Sequence, residues 1–132
     1  MKISAKLTST HHRQDVVVQT NDSAKSLALP TKPSGFGSAI NGGELLLLAL
    51  ATCYCNDIYR EAAKKNIPVT GVEVECTGTF GAEGEPGDNF CYNVKISSDA
   101  AAETIEKLIR ATDGVAEVHN TLRKGVSVKL TR

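Results

Sequence analysis

The stretch Cys53-Tyr54-Cys55-Asn56-Asp57-Ile58-Tyr59-Arg60 brings two thiols, a carboxyl and a guanidinium together in one short run. A deprotonated cysteine is both a nucleophile and a metal ligand, and the charges around it decide how readily it gives up its proton. Asp57 favours the neutral thiol of Cys53, whereas a cation such as Arg60 favours the thiolate. The chemistry on offer is thiol chemistry, provided that one of the two cysteines is accessible.

Helical geometry separates the pair. At two residues apart the side chains of Cys53 and Cys55 diverge by about 200°, so they are poor joint ligands and no zinc site is expected. Steps of three and four place Cys53 on a face with Leu46, Ala49 and Leu50 before it and Asn56, Asp57 and Arg60 after it, at the seam between apolar and polar surface. Cys55 falls with Ala51, Ile58, Tyr59 and Ala62 and reads as a small core residue.

Cys76 is in phase with Val72, Val74 and Phe80, and Cys91 with Asn93, Lys95 and Ser97. In one hairpin these two point to opposite sides, which argues against a Cys76–Cys91 disulfide. His11, His12 and His119 have no metal-ligand spacing and read as solvated loop residues. Gly35-Phe36-Gly37 fails as a dinucleotide fingerprint, because Ile40 stands where the third glycine belongs. No cofactor and no metal are expected.

The elements that must position Cys53 start with a helix. Asn41 with Glu44 three positions on forms a capping-box pattern, and Asn66-Ile67-Pro68 ends the helix after about Lys65. Its first half, Leu45–Tyr54, has almost no polar face and must be covered on most sides, if necessary by a second subunit. Ahead of it, Lys2–Thr8, Asp15–Thr20 and Ser26–Leu29 suit a small antiparallel meander, with Thr31–Gly43 as the loop leading out. After it, Val69–Gly81 and Asn89–Ser97 alternate with a strand period around a turn-rich segment, as a long hairpin. Asp99 then caps a helix carrying Ala101, Ile105, Leu108 and Ile109 on one face. A helical turn around Ala116–Leu122 and a final strand, Val126–Leu130, follow. The order β-β-β-α-β-β-α-β defines an α+β class rather than a doubly wound sheet.

At 132 residues and 41% hydrophobic content, the chain fits one domain spanning 1–132. Fifteen basic and fifteen acidic residues cancel, with no basic stripe interleaved with aromatics, so neither nucleic acid nor an anionic membrane is an expected partner. The N-terminus lacks an apolar signal core, and Leu45–Cys55 is too short to span a bilayer. The four cysteines are therefore read as reduced thiols in a cytoplasmic protein.

The string Asn41-Gly-Gly-Glu44-Leu-Leu-Leu-Leu-Ala-Leu-Ala-Thr-Cys53 resembles the central-helix signature of the OsmC/Ohr family of osmotically inducible and organic hydroperoxide resistance proteins. The order of elements is similar as well, and the likeness covers essentially the whole chain. The resemblance implies an intertwined homodimer with its long apolar helices buried centrally and its sites at the subunit interface. It implies a peroxidatic thiolate at Cys53 and an arginine from the N-terminal strand region, for which Arg13 is the candidate by region. The family glutamate lies one position earlier than Glu44, where Gly43 stands, so Glu44 is assigned the capping role. A second, resolving cysteine belongs near Ala116, and no cysteine follows Cys91.

On this reading the protein is a peroxidase of oxidative stress defence. It reduces organic hydroperoxides through Cys53 alone, an external thiol restoring the sulfenic acid. Leu46, Ala49, Leu50 and Asp57 would line the substrate pocket, the leucines favouring an alkyl substituent. The alternatives are a non-catalytic dimer that binds an apolar small molecule, and a thiol redox sensor.

Overall fold

A computed structural model describes residues 1–132. The chain is α+β, with five strands in two antiparallel sheets and three helices. Its contacts group into two compact units, Met1–Leu45 and Leu46–Arg132. None of its helices is long and apolar enough to cross a membrane.

The first unit is a meander of β1 (Ile3–Thr10), β2 (Arg13–Thr20) and β3 (Ser23–Ser26). Both connections are two-residue turns, and each contains a residue with positive φ, His12 at 58° and Asn21 at 50°, the backbone twist that tight hairpins require. The second turn pairs Thr20 directly with Ser23, so the third strand lies earlier than the expected Ser26–Leu29. Leu29 instead sits buried in the segment that follows. Apart from Leu29, only Val16 contributes a buried hydrophobic side chain here, and β1 is exposed along its whole length.

α1 (Gly42–Lys64) starts at the end of the first unit, and from Leu46 onward it forms the frame of the second. The capping box forms: the Glu44 N–H donates to Asn41 Oδ1 at 2.8 Å, and the Asn41 N–H donates to Glu44 Oε1 at 3.1 Å. The helix ends where Asn66 turns left-handed at φ 54°, and Ile67 bonds back to the Ala62 carbonyl at 2.9 Å. β4 (Gly71–Thr79) and β5 (Asp88–Ser97) form the hairpin, with an irregularity between Thr77 and Thr79. At Gly78 a Cβ would run into the Phe90 ring, which is why the bulge takes glycine.

α2 (Ala102–Val115) and α3 (Glu117–Lys124) close the unit. Tyr54, Ile58, Ala62, Leu108 and Ala116 form the core, and Val72, Val74, Val94 and Ile96 of the hairpin pack against it. Each fully buried aliphatic side chain of this kind is worth about 1.5–3 kcal/mol relative to exposure.

Two expectations are corrected in this unit. Asp99 does not cap α2, whose N-cap is Ala101 without a side-chain bond. Val126–Leu130 pairs with no strand of the chain, and Val128 is 97% exposed. The first half of α1, expected to be covered if necessary by a second subunit, leaves Leu48 57% exposed and Ala49 exposed within the single chain.

Candidate functional site

The four cysteines are unpaired. In the hairpin Cys76 stands opposite Tyr92 and Cys91 opposite Thr77, so their side chains alternate to different faces, the first half-buried and the second exposed. Burial pushes the Cys76 thiol up, and no charge opposes it. Cys55 is half-buried rather than in the core, and it borders an open recess with Ala51, Thr52, Asn56 and Val74. None of these three cysteines has a charged side chain as a hydrogen-bond partner.

Cys53 does. One helical turn beyond it, Asp57 Oδ2 lies 3.6 Å from Sγ, the neighbour that an i,i+4 spacing brings. Glu117, at the start of α3, reaches the same sulfur with Oε2 at 3.8 Å. The two remaining carboxylate oxygens meet on one guanidinium nitrogen: Arg60 Nη1 is 2.9 Å from Asp57 Oδ1 and 3.2 Å from Glu117 Oε1. Asp57 is buried, and Glu117 is open to solvent. Arg60 also approaches Glu61 at 3.9 Å.

The electrostatics of the sulfur follow from these neighbours. Desolvation raises the Cys53 pKa above its ordinary value, the Val118 backbone N–H pulls it down, and the charges of Asp57 and Glu117 push it up again. Burial likewise raises Asp57, with Glu117 adding to the shift and Arg60 opposing it. Glu117 is lowered, by its own backbone N–H first and then by Asp57 and Arg60. At rest the site therefore favours a protonated thiol hydrogen-bonded to carboxylates.

The ligand atoms of Cys53, Asp57 and Glu117 lie within 4.8 Å of one another, close enough for one cation. Arg60 already supplies a positive charge in contact with both carboxylates, which weakens the site for a metal ion.

The other residues expected at the site are placed as follows. Leu50 is buried, Leu46 half-buried and Ala49 exposed. Arg13 opens β2 in the first unit, where its Nε binds Asp15 Oδ2 at 2.7 Å. Glu117 did not emerge from the sequence at all. The one available signal was its place directly after Ala116, near which the sequence resemblance implies a second cysteine.

His119 is corrected too. Far from being solvated, it is 4% exposed on α3, its ring 4.6 Å from Tyr92 and 5.7 Å from Tyr54. Neither ring nitrogen has a hydrogen-bond partner. Burial lowers its pKa, Arg123 adds to that, and Asp113 resists it. Beside it, Tyr92 donates its hydroxyl to Asp113, which Arg123 holds at 2.6 Å, and Tyr54 donates to the Ile109 carbonyl at 2.8 Å. These bonds tie the hairpin, α3 and α1 each to α2.

Comparison with known proteins places this arrangement in a class. The sequence pattern of the OsmC-like protein family matches residues 35–131, and the chain belongs to that family. No curated protein matches the chain by sequence. Among solved structures, the OsmC-like protein of Mycoplasma pneumoniae is similar with a TM-score of 0.65 at 20% identity, covering 95% of this chain and 87% of that one. A Legionella pneumophila organic hydroperoxide resistance protein, OsmC, is similar with a TM-score of 0.59 at 24% identity, covering 98% and 95%. OhrB of Bacillus subtilis, an organic hydroperoxide resistance protein, is similar with a TM-score of 0.58 at 14% identity, covering 98% and 96%. At these identities the likeness establishes a shared fold.

Proposed function

We propose that this chain is a thiol-dependent peroxidase of oxidative stress defence, reducing organic hydroperoxides at Cys53 and drawing its electrons from an external thiol. The observation that carries the reading is the distinction of Cys53 from the other three cysteines, as the one thiol set among Asp57, Glu117 and Arg60. The printed names of the Legionella and Bacillus relatives, organic hydroperoxide resistance proteins, support the substrate class. In the cycle, Cys53 sulfur attacks the outer peroxide oxygen, the alcohol leaves, and the sulfenic acid is reduced by two equivalents of a small thiol through a mixed disulfide. No protein cysteine is required to resolve it.

The same proposal includes a homodimer. The apolar surface of α1 at Leu48 and the all-exposed β1 support it, because a chain of this size gains by covering such patches. Arg13 of either subunit is the proposed cationic partner of the reacting thiol, competing with Asp15 for its guanidinium. Four unpaired cysteines suit a reducing compartment, the cytoplasm.

A second reading, a non-catalytic dimer binding an apolar small molecule, is favoured by one observation: both carboxylates beside Cys53 hold its proton in place. Stopped-flow mixing of the reduced protein with cumene hydroperoxide and with hydrogen peroxide separates the two. The peroxidase reading expects rapid sulfenic acid formation mapped to Cys53, faster with the organic peroxide and lost in Cys53→Ser. Slow oxidation, or oxidation of Cys91 at the same rate, leaves the binding reading.

A further inference from the structure

Two carboxyl groups converge on one sulfur, and they arrive by different routes. Asp57 is delivered by helical periodicity, whereas Glu117 comes from a position 64 residues away in sequence. Ala116, fully buried, and His119, nearly so, flank Glu117 and anchor the first turn of α3 against the core, which fixes where its carboxylate stands. Arg60 bridges the far oxygens of both groups. If these carboxylates acted only as charges, they would oppose ionisation of Cys53. A carboxylate at hydrogen-bond distance from a thiol has a second capacity: it takes the proton as the sulfur reacts, and it gives that proton up afterwards.

Resting on the peroxidase reading, we infer that Glu117 is the proton-transfer residue of the Cys53 reaction, with Asp57 sharing the proton and Arg60 positioning the pair. Sulfur donates its electron pair to the outer oxygen of the hydroperoxide while its proton moves to Glu117 Oε2. The O–O bond breaks, its electron pair leaves with the alkoxide, and Glu117 returns the proton to that alkoxide. The balance is Cys53–SH plus ROOH giving Cys53–SOH plus ROH, the sulfur oxidised by two electrons and the peroxide reduced by two. No net proton is taken up or released.

This division of labour explains why a reacting cysteine tolerates acidic neighbours. A thiolate of higher basicity is the better nucleophile once formed, and concerted proton removal avoids the need to accumulate it in advance. Glu117 is placed for the role by contact with the reacting atom; it rests ionised, able to accept the proton transiently, and as a weak base it yields that proton readily to the alkoxide. Asp57, buried and raised, suits the partner that shares the proton.

The test is the pH profile of Cys53 oxidation by cumene hydroperoxide in wild type, Glu117→Gln and Glu117→Asp. Loss of the base is expected to slow Glu117→Gln by about 100-fold near neutral pH, in the range general acid–base catalysis contributes. Its rate should then climb about tenfold per pH unit toward the thiol pKa, while wild type stays nearly flat. Glu117→Asp, which keeps a carboxylate, should recover part of the rate. A merely repulsive Glu117 gives the opposite result: Glu117→Gln would ionise Cys53 more easily and oxidise as fast as wild type or faster, which overturns the inference but leaves the peroxidase intact. Wild-type Cys53 that fails to outpace Cys91 removes the peroxidase reading itself, and this inference with it. Iodoacetamide alkylation of Cys53 against pH verifies that the variant site is folded and reports the direction of its pKa.

Discussion

In the first half of α1, Leu46 and Leu47 are half-buried, Leu48 and Ala49 are exposed, and only Leu50 is well covered. In the second half, which carries more polar residues, Tyr54, Asp57, Ile58 and Ala62 are all buried. Hydrophobicity and burial run in opposite directions along one helix. The second half lies against the hairpin and the closing helices, whose side chains fill the space around it. Residues Leu46–Ala49 do not belong to that core cluster, and Leu48 and Ala49 are left exposed. The difference teaches that one end of α1 serves the unit's own core, and that the other carries the apolar surface on which the proposed homodimer draws.

The strongest way to break that comparison is to put a charge at Leu48. Leu48→Glu should dissociate the proposed homodimer, since an unpaired carboxylate in an apolar interface costs several kcal/mol. Light scattering across a dilution series reads the outcome, and an unchanged mass would show that this half of the helix is free. Ile58→Ala attacks the other half. A fully buried isoleucine lost from the core should cost about 2–5 kcal/mol, seen as a lower urea midpoint with little effect on subunit mass. If Ile58→Ala changed the mass and Leu48→Glu only the midpoint, the assignment of the two halves would be reversed.

A smaller effect sharpens the account of the core end. The folded-state pKa of His119 lies below its ordinary 6.5, with Tyr54, Tyr92, Asp113 and Arg123 around it. The unfolded chain therefore binds the proton first as pH falls, so stability is fully present above about 6.5 and declines on acidification toward the lower folded pKa. His119→Phe should flatten that slope in urea melts taken between neutral and mildly acidic pH. A slope equal to wild type would mean that His119 is solvated after all. Asp113, held low by Tyr92 and Arg123, loses its contribution only at lower pH, so the two effects separate.

Much of the fold was legible because the signals were local. The capping box at Asn41 and Glu44, the stop at Asn66, and the alternation of the hairpin each involve residues within a few positions of one another. Where the reading slipped, a competing local option or a distant partner decided. The Asn21 turn shifted the third strand, and Val126–Leu130, despite its alternation, pairs with no strand. His119 looked like a loop residue because an isolated histidine carries no periodic sign of burial. Half the site followed the same rule: Asp57 and Arg60 were visible from Cys53 by helical spacing, and Glu117 was not.

The sequence by itself determined that α1 starts and stops where it does, that Cys53 and Cys55 face different ways, and that Asp57 stands one turn from Cys53. These are consequences of 3.6 residues per turn and of hydrogen bonds closed within a few residues. Only the tertiary structure decided that α3 brings Glu117 to the sulfur, that Arg60 ties the two carboxylates together, and that His119 is buried between two tyrosines. Contacts across 64 residues depend on how the core around Tyr54, Leu108 and Ala116 packs, and no local spacing encodes that packing.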